Sequence, residues 1–167
     1  MLARIPARLL CLALFSVCAG LLAFGLYLQH VKGIEPCPMC IMQRYALAAC
    51  GLIGLVAGLH NPRGKTIYAY SGLLAVAALA GGGVAARQSW IQWFPPAVSE
   101  CGPGLEYMLE SFPLSSALPM IFRGAGDCSV VDWTFLGLSI ANWSLLCFTA
   151  ILATVTIYLL QRRKQNR

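Results

Sequence analysis

Four long runs of this chain carry no charged side chain: Leu9–Val31, Tyr45–Pro62, Thr66–Ala86 and Trp133–Gln161. A helix needs roughly 20 apolar residues to cross the hydrocarbon of a bilayer. Within that hydrocarbon every backbone N–H and C=O must find its partner inside the protein, which leaves helices or closed barrels. Runs of this length and uniformity predict helices. The second is short by itself, but Ile41 and Met42 extend it provided that Arg44 faces a protein partner rather than lipid. Composition agrees: of 167 residues, 59% are apolar and 11% charged, where a soluble domain carries about 25% charged residues. The first run, with Arg4 and Arg8 before it, has the outline of a signal peptide. Its apolar stretch from Leu9 to Leu28 is longer than the usual h-region of roughly 7–15 residues, so it is expected to remain as a span.

The expected architecture is all-α: a single integral membrane domain over residues 1–167, an antiparallel bundle of four transmembrane helices. The spans fall at about 9–29, 41–60, 66–87 and 143–161, with outer loops at about 30–40 and 88–142. Gly51, Gly54 and Gly58 in the second span, and Gly72 and Gly81–Gly83 in the third, supply the small faces on which membrane helices approach closely. In the long loop Leu105, Met108, Leu109 and Phe112 recur at helical spacing before Pro113, which predicts a short amphipathic helix.

A net charge of +6 raises the question of nucleic acid, but the basic residues are not gathered into one patch. Arg4, Arg8, Arg63, Lys65, Arg162, Arg163, Lys164 and Arg167 flank one set of span ends; only Lys32, Arg44, Arg87 and Arg123 belong to the other. That asymmetry places both termini and the 62–65 loop in the cytoplasm. All six acids, and Trp90, Trp93, Trp133 and Trp143 near the interface, fall on the outer side. The charge orients the chain in a membrane and excludes nucleic acid as a partner.

Topology divides the eight cysteines into two sets. Cys11, Cys18, Cys50 and Cys147 lie within spans, where a free thiol packs as a small hydrophobe. Cys37, Cys40, Cys101 and Cys128 lie outside, where an oxidising compartment favours disulfides. The Cys37-Pro38-Met39-Cys40 pair is followed by Ile41, not by the histidine of a haem attachment site. Zinc wants two close pairs of ligands, and Cys101 and Cys128 are far apart in the chain. A disulfide across two residues constrains the unfolded chain too little to serve as a brace. Redox chemistry fits better. Cys40 stands at the expected start of a helix, whose N–H groups favour a thiolate. Arg44 is one turn deeper on the same face. An arginine at membrane depth marks function by default; here it faces the Cys40 sulfur and any negatively charged oxidant lodged between the helices. A non-enzymatic membrane module braced by inert outer disulfides remains the alternative of a different class.

Taken in order, these features resemble the bacterial disulfide bond formation protein B (DsbB) family of inner-membrane thiol oxidases. The resemblance rests on Gln29-His30-Val31, the C-x-x-C-x-x-x-R of Cys37–Arg44, Cys101 after a proline-containing stretch, Gly126-Asp127-Cys128, and Trp133-x-Phe135-Leu136-Gly137-Leu138 before the last span. The vitamin K epoxide reductase family is also a four-helix bundle with a C-x-x-C, but its loop cysteines precede the pair, the reverse of the order here. The resemblance implies a thiol:quinone oxidoreductase in the bacterial inner membrane, its redox cysteines periplasmic. Cys101 and Cys128 would form a loop disulfide attacked by a reduced periplasmic DsbA-like thiol oxidoreductase, and Cys128 would then exchange with Cys37. Cys40 would pass electrons to a membrane quinone, ubiquinone or menaquinone, held with help from Arg44. A paralogue dedicated to one substrate has the same features. One position departs from the pattern: where the best-studied member has a histidine, 13 residues before the first loop cysteine, this chain has Gln88, with Arg87 beside it as a second source of positive charge.

Overall fold

The computed structural model describes residues 6–95, 111, 128–129, 131 and 133–165. The expected amphipathic helix in the long loop lies, apart from Ser111, outside those residues. Four long helices follow in chain order: α1 (Ala7–His30), α2 (Pro38–His60), α3 (Thr66–Trp93) and α4 (Ile140–Gln165). Each has the length and hydropathy to cross a membrane, and the chain is a multi-pass membrane protein. Neighbours in sequence pack against each other, α1 on α2, α2 on α3 and α3 on α4, as short connections between antiparallel helices require.

The turn between α2 and α3 is built from residues that tolerate left-handed backbone. Asn61 caps α2 at φ 49°, and Gly64 follows at φ 58°. At the opposite end, β1 (Thr134–Phe135) and β2 (Leu138–Ser139) pair antiparallel in a small hairpin immediately ahead of α4. The sequence reading did not include this hairpin. Its turn places Leu136 at φ 52° and Gly137 at φ 77°. The third helix also exceeds its expected end at residue 87 and continues to Trp93. Arg87 ends the charge-free run but points to the exposed face, and Gln88 is buried with partners, so neither side chain stops the helix.

Large apolar side chains face outward along the whole length of the bundle, as at Leu52 (60% exposed), Val76 (68%) and Leu160 (55%). In water such a surface would be a liability; in a bilayer it is the solvated face. Inside, Cys18 and Cys50 pack with Leu74, Ala78 and Phe148, while Cys11 and Cys147 are only partly buried. The glycines of α2 do face α1. A methyl group added at Gly54 would stand 3.0 Å from the Cys11 carbonyl oxygen, and one at Gly58 2.8 Å from Leu12 Cγ. On α3 the small face narrows to Gly81, where an added methyl would meet the Phe148 ring and lie 2.8 Å from Ala46 Cβ; Gly72 and Gly83 border open space. Gly81→Val should therefore wedge α3 away from α4 at a cost of about 1–3 kcal/mol. Thermal unfolding in detergent micelles, followed by circular dichroism, should show that loss, while Gly72→Ala unfolds as the parent does.

Candidate functional site

The site begins with how α2 starts. Cys37 is its N-cap, in extended backbone, and Pro38 occupies the first helical position, where the missing N–H has no partner to lose. The Cys37 sulfur accepts the Cys40 backbone N–H at 3.4 Å, taking the place that a serine or aspartate oxygen fills in most caps. The same geometry brings the two sulfurs to 3.3 Å. Cys128, fully buried, packs with Met39, Val84 and Ile91, and Cys37 lies against that cluster. Cys37 therefore touches two other thiols. Its hydrogen bond with Cys128 is the largest cause holding its own thiol above the ordinary range, its contact with Cys40 the next, and burial adds to both.

Gln88 from α3 completes the cluster. Its Nε2 lies 3.3 Å from the Cys37 sulfur and 3.2 Å from the Cys40 sulfur. Its Oε1 accepts a 2.6 Å hydrogen bond from Gln43 Nε2 on α2. Both amides are buried, Gln43 at 4% and Gln88 at 2% exposure. One turn below Cys40, Arg44 donates to Gln29 Oε1 at 2.5 Å and to the Gly25 carbonyl at 3.0 Å, both on α1. The guanidinium is thus turned inward and held by neutral acceptors, as the sequence reading required for α2 to span.

Cys37, Cys40, Gln43, Arg44 and Gln88 line one side of a cavity of about 1270 Å³, whose other walls are largely apolar, among them Leu21, Leu22 and Phe24. The cavity lies between α1 and α4 and continues downward. A second cavity of about 320 Å³ near the other end of the bundle shares Leu21, Leu47 and Cys147 with it. Aromatic rings bridge its mouth. Phe24 of α1 meets Trp133 edge-on at 5.8 Å, Trp133 stacks on Phe135 at 6.0 Å, and Phe135 contacts Trp143 of α4 at 6.0 Å. The hairpin is fixed to α4 by the Trp143 indole N–H, which donates to the Phe135 carbonyl. Ser139 at its end donates to Gln92 Oε1 on α3.

Of the residues expected to form a site, Cys37, Cys40, Cys128, Arg44 and Gln88 come together. Arg87 is exposed and does not line the cavity, and Cys101 lies outside the described residues. Gln43 and the Gln92–Ser139 pair escaped the sequence reading, and Gln29 entered it only within the Gln29-His30-Val31 motif of the resemblance, with no role assigned. Gln43 had a signal, since it follows Cys40 by three residues and so shares its face. Gln29 had the motif before the pair as its signal, but nothing in the sequence paired it with Arg44.

The family model for Disulfide bond formation protein DsbB matches residues 7–158. The chain belongs to the DsbB family. Among its relatives, Disulfide bond formation protein B of Azoarcus sp. (strain BH72) is 70% identical over 94% of each chain. The protein of the same description from Aromatoleum aromaticum is 63% identical over 94% of each. That of Polaromonas sp. (strain JS666) is 54% identical over 97% of this chain and 95% of its own. Membership of the DsbB family places the protein in disulfide bond formation, and the three sulfurs gathered at the head of α2 are the groups suited to it. Because the Cys128 contact is the main cause that raises the Cys37 thiol, Cys128→Ala should lower the pH at which Cys37 of the fully reduced protein becomes alkylated. Mass spectrometry of iodoacetamide-treated samples over a pH series reads that shift. An unchanged profile would mean that the contact is not maintained in solution.

Proposed function

We propose that this protein is a thiol:quinone oxidoreductase of the bacterial inner membrane that reoxidises a periplasmic DsbA-like thiol oxidoreductase and so sustains disulfide formation. The observation that carries the reading is the position of Cys37: it contacts Cys128 on one side and Cys40 on the other, at the wall of a cavity that reaches between the helices. An exchange relay needs an attacking sulfur, an attacked sulfur and a leaving sulfur in one neighbourhood.

In the proposed sequence the donor's thiolate attacks Cys101 of a Cys101–Cys128 disulfide, forming a mixed disulfide and releasing Cys128 as thiolate. Cys128 attacks the sulfur of Cys37 in a Cys37–Cys40 disulfide; the Cys37–Cys128 bond forms and Cys40 leaves as thiolate. The donor's second thiol then displaces Cys101 from the mixed disulfide, and the donor departs oxidised. The freed Cys101 restores the Cys101–Cys128 bond, releasing Cys37. Cys37 and Cys40 now hold the electron pair as two reduced sulfurs. A quinone supplies a two-electron, two-proton acceptor when bound. The cavity residues suit such a ring: apolar walls, an inward guanidinium at Arg44 and an amide at Gln92 that can meet carbonyl oxygens, in the cavity that Cys40 also lines. Gln88 Nε2 donates toward the Cys40 sulfur, a contact that strengthens as the sulfur gains negative charge. The Arg44 guanidinium, kept in place by Gln29 and Gly25, orients an anionic oxygen. Loss of both electrons re-forms the Cys37–Cys40 bond, and two protons pass to the acceptor. The charge asymmetry of the span ends supports the placement of these cysteines on the periplasmic side.

The test is a purified preparation in detergent given a reduced periplasmic thiol oxidoreductase and a soluble ubiquinone or menaquinone analogue, with quinone absorbance followed over time. Wild type should reduce quinone only when the donor is present. Cys40→Ser and Cys101→Ser should each abolish turnover, and Arg44→Ala should raise the KM for quinone about tenfold or more, the worth of a hydrogen bond to a charged group. Donor-dependent turnover that survives Cys101→Ser would overturn the relay. Absence of donor-dependent turnover with quinone binding intact would favour outer disulfides that merely brace the loops.

A further inference from the structure

Gln43 touches neither sulfur, yet it governs which end of its neighbour does. A primary amide has a donor end and an acceptor end of nearly the same shape. Gln88 is buried between the Gln43 side chain and two sulfurs: its Nε2 lies 3.3 Å from Cys37 and 3.2 Å from Cys40, while Oε1, bonded to Gln43, stands farther from the Cys40 sulfur at 3.7 Å, so the end that faces Gln43 leaves the closer contact with the sulfurs to the other end. Two arrangements satisfy the pair. In one, Gln43 donates to Gln88 Oε1 and the Gln88 NH2 group lies on the sulfurs. In the other, both amides are reversed and a carbonyl oxygen lies on the sulfurs. A thiolate accepts hydrogen bonds and donates none, so the first arrangement stabilises it and the second opposes it. Neither amide is exposed enough for water to compensate a wrong orientation.

We propose that Gln43 is a positioning residue for the redox pair: its 2.6 Å hydrogen bond to Gln88 Oε1 holds the Gln88 NH2 group against the Cys37 and Cys40 sulfurs. The inference deepens the reading of this site as a thiol exchange centre, but its test contains neither donor nor quinone, so the two succeed or fail separately. The sulfurs themselves are the probe. Cys37 and Arg44 are the titratable and charged groups that act on Cys40, with Cys128 against Cys37 and Glu35 at the cavity wall, and these groups stay the same in every variant compared.

The full chain in detergent micelles, fully reduced, is treated with iodoacetamide across the neutral pH range, and each cysteine is quantified by mass spectrometry. Gln88→Met should slow Cys40 alkylation at neutral pH about tenfold and displace its pH profile upward, the effect of removing a donor from a charged acceptor. Gln43→Met should act in the same direction by a smaller factor. Because Gln43 works only through Gln88, the double variant should be no slower than Gln88→Met alone. Gln43→Leu serves the same comparison if Gln43→Met loses helix content by circular dichroism. Cys147, in the wall of the same cavity, should keep its parental rate in all of them. Wild-type Cys40 reactivity in the Gln43 variants, a Gln43 effect that adds in full to that of Gln88→Met, or a parallel change at Cys147 that reports a loosened bundle would each overturn the proposal.

Discussion

Everything at this site depends on one sulfur serving two purposes. Cys37 caps α2, accepting the Cys40 N–H, and it also touches Cys40, Gln88 and Cys128. The unpaired N–H groups of a helix start need partners, and here the side chain that supplies one is a thiol of the proposed redox pair. In the proposed relay, exchange at Cys37 is therefore tied to the first turn of a transmembrane helix. Pro36 and Pro38 restrict the backbone on either side of it. The cap fixes the spacing of the two sulfurs, and the spacing decides that either can leave when the other is attacked.

The polar groups beneath that cap explain how an otherwise apolar bundle tolerates them. Arg44 is unpaired with any acid among the described contacts and is instead held by an amide oxygen and a backbone carbonyl of α1. A buried ion pair would hold the guanidinium more strongly and leave less of its field for anything entering the cavity. Neutral acceptors orient it without cancelling its charge. The same contacts fasten α2 to α1, while the glycines at 51, 54 and 58 let those two helices approach closely. Close packing on that side leaves the space between α1 and α4 as the open one, which is where both cavities lie.

The bundle was legible because it rests on the cost of unsatisfied backbone in hydrocarbon, a constraint that acts on every residue of a span and so marks long stretches of sequence. The C-x-x-C and Arg44 were legible because charged and reactive groups stand out against such stretches. What was missed is polar but uncharged. Gln92 and Ser139 each interrupt an apolar pattern by a single residue, Gln43 stands beside the more conspicuous Arg44, and only the folded arrangement shows that Gln43 meets Gln88 across 45 positions of chain. The hairpin before α4 was missed for a related reason. Its turn uses Leu136 in left-handed backbone beside Gly137, and an apolar residue at such a position carries no turn signal. The extension of α3 to Trp93 was hidden by Arg87, which reads as the end of a span although a helix can continue with that side chain turned outward.

A neutral amide at position 88 is also consistent with how protons must move in the proposed reaction. Among the described residues lining the large cavity, Glu35 and Arg44 are the charged ones, and the group that α3 brings against Cys40 is an amide, backed by a second amide on α2. A dithiol that becomes a disulfide releases two electrons and two protons together, so the acceptor's protons are supplied by the same chemistry that supplies its electrons. A titratable side chain beside Cys40 would add a proton reservoir that the balance does not require, and its charge would change with pH. Gln88 offers the sulfur a donor whose strength is the same at every pH, provided its amide faces the right way. That condition transfers the burden from titration to orientation, and orientation in a buried, water-poor site is set by packing and by the next hydrogen bond outward.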